Sequence, residues 1–441
     1  MYIRRVVIVL LCVISGSTVT ARELTEVELL REELSEIKRA YEMRINALEE
    51  RIKSLEGSPR EPVAITEVEI PEVPVVQEKP NDFNPSIGVV LVGTAASFSG
   101  NNDPVVPGFM LDEEAGPGND GFSVGESELN AKANIDDKFF GNFTLAVADD
   151  DGSTEVELEE AWFETLALPY GLQLRGGRFY SGIGYRNQFH RHADDFVDRS
   201  LPYRVFLNGQ YLDDGVQTRW LAPTDLFLEV GGDWLRGAKF PAAGSGHDGK
   251  GAWSLFARSG GDVGISHSWL AGLSWLSARA KNRGSGDGDV FDGDVDLAIL
   301  DGVWKWAPNG NPYRNNLKLE GALFWQNQDG LFTPDGGSPL AYDEDQWGGY
   351  FDGIYQFMPR WRAGMRYAWV DTDDPGSASA GTSLDTLGVS PEIYTAMLDW
   401  SNSEFSRFRL QYSRDESDVK SVDRLYLQYI MSLGAHGAHQ F

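Results

Sequence analysis

The sequence predicts an all-β protein: a transmembrane antiparallel β-barrel of about sixteen strands, preceded by an N-terminal α-helical coiled coil. Three observations predict it. A secretory leader opens the chain, and no later stretch has the eighteen or more apolar residues of a spanning helix. From residue 86 onward, apolar and polar residues alternate in strand-length runs. The connections between those runs are mostly short and long by turns. Composition agrees: 12% of residues are aromatic and 49 are glycine, which suits many strands, tight turns and interfacial aromatic belts.

The leader is residues 1–21. Arg4 and Arg5 form its positive start, Val6 to Ile14 its short apolar core, and Val19-Thr20-Ala21 the small residues before cleavage, expected after Ala21. Cys12, the single cysteine, falls in this core behind Leu11, where a lipid-attachment signal needs a small residue. The mature chain then has no cysteine, which excludes disulfides, thiolate metal sites and cysteine nucleophiles together. The formal charge of -29 lacks the basic footprint of a nucleic-acid-binding protein. It attracts cations without by itself establishing a selective pore.

Residues 22–56 predict a periplasmic coiled coil. Val27, Leu30, Leu34, Ile37, Tyr41, Ile45, Leu48, Ile52 and Leu55 recur in steps of three and four, a heptad seam with one stutter between Tyr41 and Ile45. Gly57-Ser58-Pro59 ends it. Such a helix reaches roughly 50 Å. A lone amphipathic helix would expose the seam to water, so self-association, with a trimer in view, is the expectation. The arm would tie protomers together or touch the cell wall. Residues 57–85 carry Pro59, Pro62, Pro71, Pro74, Pro80 and Pro85 and read as an extended linker.

Residues 86–441 predict the barrel. Strands are expected near 86–99, 122–134, 138–149, 154–167, 170–178, 212–221, 225–236, 252–260, 264–279, 294–308, 312–328, 346–358, 359–372, 390–402, 404–414 and 420–433. Short turns such as Leu168-Pro169-Tyr170 and Pro308-Asn309-Gly310 are interleaved with long Gly/Asp-rich connections at 100–121, 179–211, 237–251, 280–293, 329–345 and 373–389. A membrane barrel sorts its loops this way, with turns on one rim and loops on the other, whereas a soluble sandwich has no reason to. The last strand sets Leu425, Leu427, Tyr429, Met431 and Leu433 against Arg424, Tyr426 and Gln428. The strand at 359–372 sets Trp361, Met365, Tyr367 and Trp369 against Arg360, Arg362 and Arg366, and that at 404–414 sets Phe408, Leu410 and Tyr412 against Arg407, Arg409 and Gln411. The apolar face is expected to meet outer-membrane lipid and the polar face to line a lumen.

The segment Leu172-Gln173-Leu174-Arg175-Gly176-Gly177-Arg178-Phe179, followed by Ser181-Gly182-Ile183-Gly184, resembles the strand-then-loop motif of the phosphate-selective porin O/P family. The terminal Phe441 resembles the signal read by the barrel-assembly machinery. The resemblance covers most of 86–441 in architecture, although the motif itself is short. It implies a sixteen-stranded homotrimeric porin in the bacterial outer membrane. It also implies that the long loop 179–211, after the fifth strand, folds inward as a constriction. Its Arg186, His190, Arg191, His192, Asp194 and Asp195 would then set a local field across the pore. Arg360, Arg362, Arg366, Arg407 and Arg409 are the candidate pore-lining ladder, opposed by acids such as Glu155, Glu157 and Glu320.

His190-Arg191-His192 with Asp194 and Asp195 also has the donor types of a zinc site, and His436 and His439 form a second pair. Arg191 between the two histidines adds repulsion, and His436 and His439 fall on opposite faces of a strand. No metal and no cofactor are therefore assigned. No phosphate-binding loop or HExxH motif appears, and Asp149-Asp150-Asp151-Gly152 lacks the spacing of a calcium loop, so no enzymatic activity is expected. The expected function is passive diffusion of small hydrophilic solutes or ions. The alternatives are a metal-uptake channel, or a tether or adhesin anchored by its barrel.

Overall fold

The computed structural model describes residues 85–434 except 101–104, 113–114, 151–152, 243–250, 286–287 and 374–375. The leader, the coiled coil, nearly all of the linker, His436, His439 and Phe441 lie outside the described residues.

The chain forms one closed antiparallel barrel. Its segments are β1 (Ser86–Phe98), β2 (Gly121–Ser123), β3 (Ser127–Asn134), β4 (Phe139–Asp150), β5 (Ser153–Thr165), β6 (Leu172–Tyr180), β7 (Leu212–Leu221), β8 (Phe227–Leu235), β9 (Ala252–Val263), β10 (His267–Gly284), β11 (Val290–Trp306), β12 (Asn316–Thr333), β13 (Leu340–Met358), β14 (Trp361–Thr372), β15 (Glu392–Ser403), β16 (Ser406–Asp415) and β17 (Val422–Gly434). Each pairs with the next except β2 with β3, and β17 returns to β1 with Gly88 opposite Gly434 and Phe98 opposite Arg424. β2 and β3 both pair with β1 and form one stave broken by a bulge, so the seventeen segments make sixteen staves. The Ser127 hydroxyl spans that break, accepting from the Val92 N–H and donating to the Val124 carbonyl. The string Gly121-Phe122-Ser123-Val124-Gly125 has the spacing of a hydrolase nucleophile elbow. It lies on this broken stave and is followed by a strand, not by the helix that an elbow needs.

Every strand expected from the alternation is present. On β17, Leu425, Leu427 and Leu433 point outward while Arg424, Tyr426 and Gln428 are buried. Outside, Trp361, Trp400, Phe408 and Tyr429 stack across four staves near the short-turn rim. Tyr367, Trp369 and Tyr394 form a second aromatic row toward the other rim. The rows bound an apolar outer band, as the aromatic girdles of a membrane barrel do.

Two expected loops are not loops. The stretches at 280–293 and 329–345 continue as strands of β10–β13 and leave only the tips 285–289 and 334–339. The outward residues of β11 change from Trp304 and Leu300 to Asp296, Asp294 and Asp292, while the inward ones change from Lys305 and Asp301 to Ile299, Leu297, Val295 and Phe291. Above the apolar band this part of the wall, along β10–β12, therefore inverts. It is polar outside and apolar inside, as in a soluble barrel. Gly/Asp-rich composition read as loop because strands facing water need those outward polar residues.

Two inward segments fill this upper, apolar part. Within the connection from β6 to β7 lies a short helix, α1 (Leu201–Leu207), all of whose residues are buried. Pro202 suits its first turn, and Asn208, left-handed at φ 50°, ends it. Phe206 stacks on Phe324 at 5.8 Å, and Tyr203 meets Phe324 and Tyr350. Residues 105–111, from the connection between β1 and β2, pack Phe109 edge-on to Phe206. The Gly108 carbonyl accepts from Gln346 Nε2, and the Ala115 carbonyl accepts from Arg204 Nε.

Candidate functional site

The long connection 181–211 runs through the interior and is bonded to staves on every side. It starts where Ser181 Oγ and the Gly182 N–H both donate to Asp233 of β8. Arg186 then reaches Glu320 of β12, with Nε 2.8 Å from Oε1. The same guanidinium lies 3.2 Å from Asp194 and 3.5 Å from Asp195. Asp195 also meets Lys318 at 2.9 Å and Arg362 at 2.8 Å. Burial would raise the Asp195 carboxyl, but Lys318, Arg362 and Arg186 outweigh it and hold the group well below the usual carboxylate range.

Four of the five candidate ladder arginines grip this connection. Arg362 binds Asp195 and Asp399. Arg366 is paired with Asp352 and donates to the Asp198 carbonyl at 2.8 Å. Arg407 donates to the carbonyls of His192 and Asp194, and Arg409 to that of Asp194. Arg360 is elsewhere. It sits in the β13–β14 turn at φ 71°, exposed at the rim. Of the expected opposing acids, Glu320 is engaged, whereas Glu155 and Glu157 are exposed.

On the short-turn side the interior opens into a wide vestibule with three lobes of about 410, 560 and 810 Å³. Phe189 borders all three, and Lys305, Lys318, Arg362 and Arg407 line the largest. On the long-loop side a cavity of about 170 Å³ is lined by Glu126, Arg191, His192, Asp198 and Gln428. His192 borders both this cavity and the 410 Å³ lobe. The two sides therefore approach each other between the β3–β5 wall and residues 190–192.

At that point the sequence-based grouping of His190 and His192 with Asp194 and Asp195 does not form. Asp194 turns to Arg186 and Arg199, and Asp195 to the cations above. The histidines, with rings 5.7 Å apart, face Glu128, Glu159 and Glu160 instead. His192 Nδ1 is 2.7 Å from Glu128, and His190 Nδ1 is 3.0 Å from Glu128 and 3.3 Å from Glu159. Burial would depress the His190 imidazolium, but Glu128 and Glu159 hold it well above the ordinary histidine range. Arg191 is turned away to Glu126, 3.2 Å off.

Glu159 and Glu160 were missed for a local reason. The β4–β5 register slips where Thr144 faces Glu160 and Leu145 faces Leu158, leaving Glu159 unpaired in a bulge. The bulge turns Glu159 and Glu160 inward together, which strict alternation forbids. The available signal was the Glu159-Glu160 pair inside an otherwise alternating strand.

No family model matches the chain. A protein of Aquifex aeolicus (strain VF5), described only as uncharacterized, is 29% identical over 348 residues, covering 73% of this chain and 70% of that one. Among solved structures, the outer membrane channel DcaP of Acinetobacter baumannii is similar with TM-score 0.49 and 13% identity, covering 79% of this chain and 97% of that one. An anion-selective porin from Comamonas acidovorans is similar with TM-score 0.48 and 12% identity, covering 79% and 99%. OmpT of Vibrio cholerae in its trimer form gives TM-score 0.47 and 10% identity over 79% and 99%.

Proposed function

We propose that this protein is an outer-membrane channel for passive diffusion of small hydrophilic solutes or ions, narrowed by the connection 181–211. The observation that carries the reading is the pair of cavities that share His192 in their lining, one on each side of the inward connection. An apolar outer band with aromatic rows on a closed sixteen-stave barrel supports placement in a bilayer. Arg186, His190, Arg191, His192, Asp194 and Asp195 form or brace the constriction in this reading. Arg362, Arg366, Arg407 and Arg409 line the lumen as anchors of that connection, and Arg360 contributes charge at the vestibule mouth. Assembly as a homotrimer, a periplasmic coiled coil and recognition of Phe441 by the assembly machinery complete the proposal.

Planar-bilayer recording of the full chain tests it. A steady, small conductance is expected, with a nonzero reversal potential in a salt gradient. A sealed bilayer after verified insertion would leave the barrel as an anchor only.

A further inference from the structure

We propose that Glu128, Glu159, His190 and His192 form a binding site for a divalent transition-metal ion of the zinc class. Two imidazoles and two carboxylates are a donor set such ions accept, with no thiolate needed. One donor atom from each of Glu128, His190 and His192 lies within 4.8 Å of the others. The separations are 3.0 Å from His190 Nδ1 to Glu128, 3.3 Å from His190 Nδ1 to Glu159, and 2.7 Å from His192 Nδ1 to Glu128. Tetrahedral donors at ordinary zinc bond lengths stand ~3.3 Å apart, so Glu128, His190 and His192 are near that spacing, while Glu159, 3.3 Å from His190 Nδ1 but outside that trio, must swing inward to become the fourth donor.

A second observation points the same way. Glu159 is 3% exposed, and in place of an aligned hydrogen bond its Oε2 has only an ion-pair contact with His190 Nδ1, 3.3 Å away, which falls outside hydrogen-bond geometry. Buried polar atoms are normally satisfied. Glu159 is also held in place, since its other oxygen accepts from the Tyr180 hydroxyl. A third observation concerns the far side of the ring. His190 Nε2 lies 3.1 Å from Glu160 Oε2, and Glu160 is itself fixed by Trp162 Nε1 and Asn142 Nδ2. A carboxylate behind a histidine sets the ring's tautomer and orientation toward an ion on its other nitrogen. The repulsion expected from Arg191 is absent because that side chain points to Glu126.

The site's place in a solute path rests on the channel reading, while the binding itself does not. The full chain, purified in detergent and stripped with a chelator, is titrated with Zn²⁺ by calorimetry, and the same preparation is recorded in bilayers. One ion per chain at micromolar or tighter affinity is expected. Glu128→Gln and His192→Asn should each weaken binding at least ~100-fold, and His267→Asn on the outer wall should leave it unchanged. Heat-modifiable gel migration checks that each variant keeps its barrel. Co²⁺ on the wild-type protein should give the strong visible absorption of a four-coordinate site, a readout that needs no variant. Failure of the wild-type chain to bind zinc, or binding that survives both variants, overturns the site. Zinc binding with reversible loss of conductance supports both the site and its place in the path. Binding without any effect on an open channel upholds the site and removes it from the path.

Discussion

Arg186 meets three carboxylates, those of Glu320, Asp194 and Asp195, while only 5% exposed. Removing one member of a buried ionic cluster strands the others, which costs roughly 3–5 kcal/mol. Arg186→Ala should show a loss of that order in urea unfolding from lipid vesicles. A change below about 1 kcal/mol would mean that the cluster is solvated. Asp195 allows a test by pH. Its carboxyl is held low by Lys318, Arg362 and Arg186, so its contribution is complete above the ordinary aspartate value of about 3.9 and is lost only as pH falls below it. Asp195 should therefore add no change to single-channel conductance between neutrality and about pH 4, and conductance should rise on further acidification as the connection loosens. Asp195→Asn should show the raised conductance already at neutral pH, and equal currents from both proteins there would refute the tie. The identities of these residues were legible as a charged loop. Their partners were not, since Glu320 and Lys318 lie more than a hundred residues away along the chain.

The connection 181–211 behaves as an element because α1 plugs into an apolar pocket. Phe206 is fully buried against Phe324 and Phe109. Phe206→Ala removes a large buried ring and should cost about 3–5 kcal/mol, read as a lower urea midpoint, with noisier open-channel current as the anchor slackens. Unchanged midpoint and noise would show that α1 does not hold the connection. The inward course of this segment was anticipated by resemblance. That residues 105–111 fold inward beside it was not anticipated, because Phe109, Met110 and Leu111 are a short apolar cluster in a Gly/Asn-rich stretch with no period to read. The bulge in β2–β3 was equally silent, and that in β5 showed only as the Glu159-Glu160 pair. Each is a one-residue slip whose effect appears only against the neighbouring stave.

The barrel as a whole follows two rules. Around its lower part the wall is apolar outside and polar inside; toward the long-loop rim the order reverses along β10–β12, whereas β16 and β17 keep Ser413, Asp415 and Arg424 inside. Met365 sits on the outer face in the first zone, 72% exposed. Met365→Arg should destabilise the protein in vesicles by about 2–4 kcal/mol, as for a charge near the bilayer midplane. Leu331→Arg, on the outer face of β12 beyond the inversion, should be nearly neutral. Equal penalties at both positions would place the lipid boundary elsewhere.

Period-two alternation and the spacing of turns were enough to specify sixteen staves and their order, and together with the expected leader and terminal aromatic they assigned the lipid-facing side of the lower wall, because those features depend on each residue's immediate neighbours and on the medium it meets. Which side chains converge inside the cylinder was settled only by closure. Register slips, the height at which the wall inverts, and contacts such as Arg186 with Glu320 or His192 with Glu128 join residues remote in the chain, and no local pattern encodes such distances.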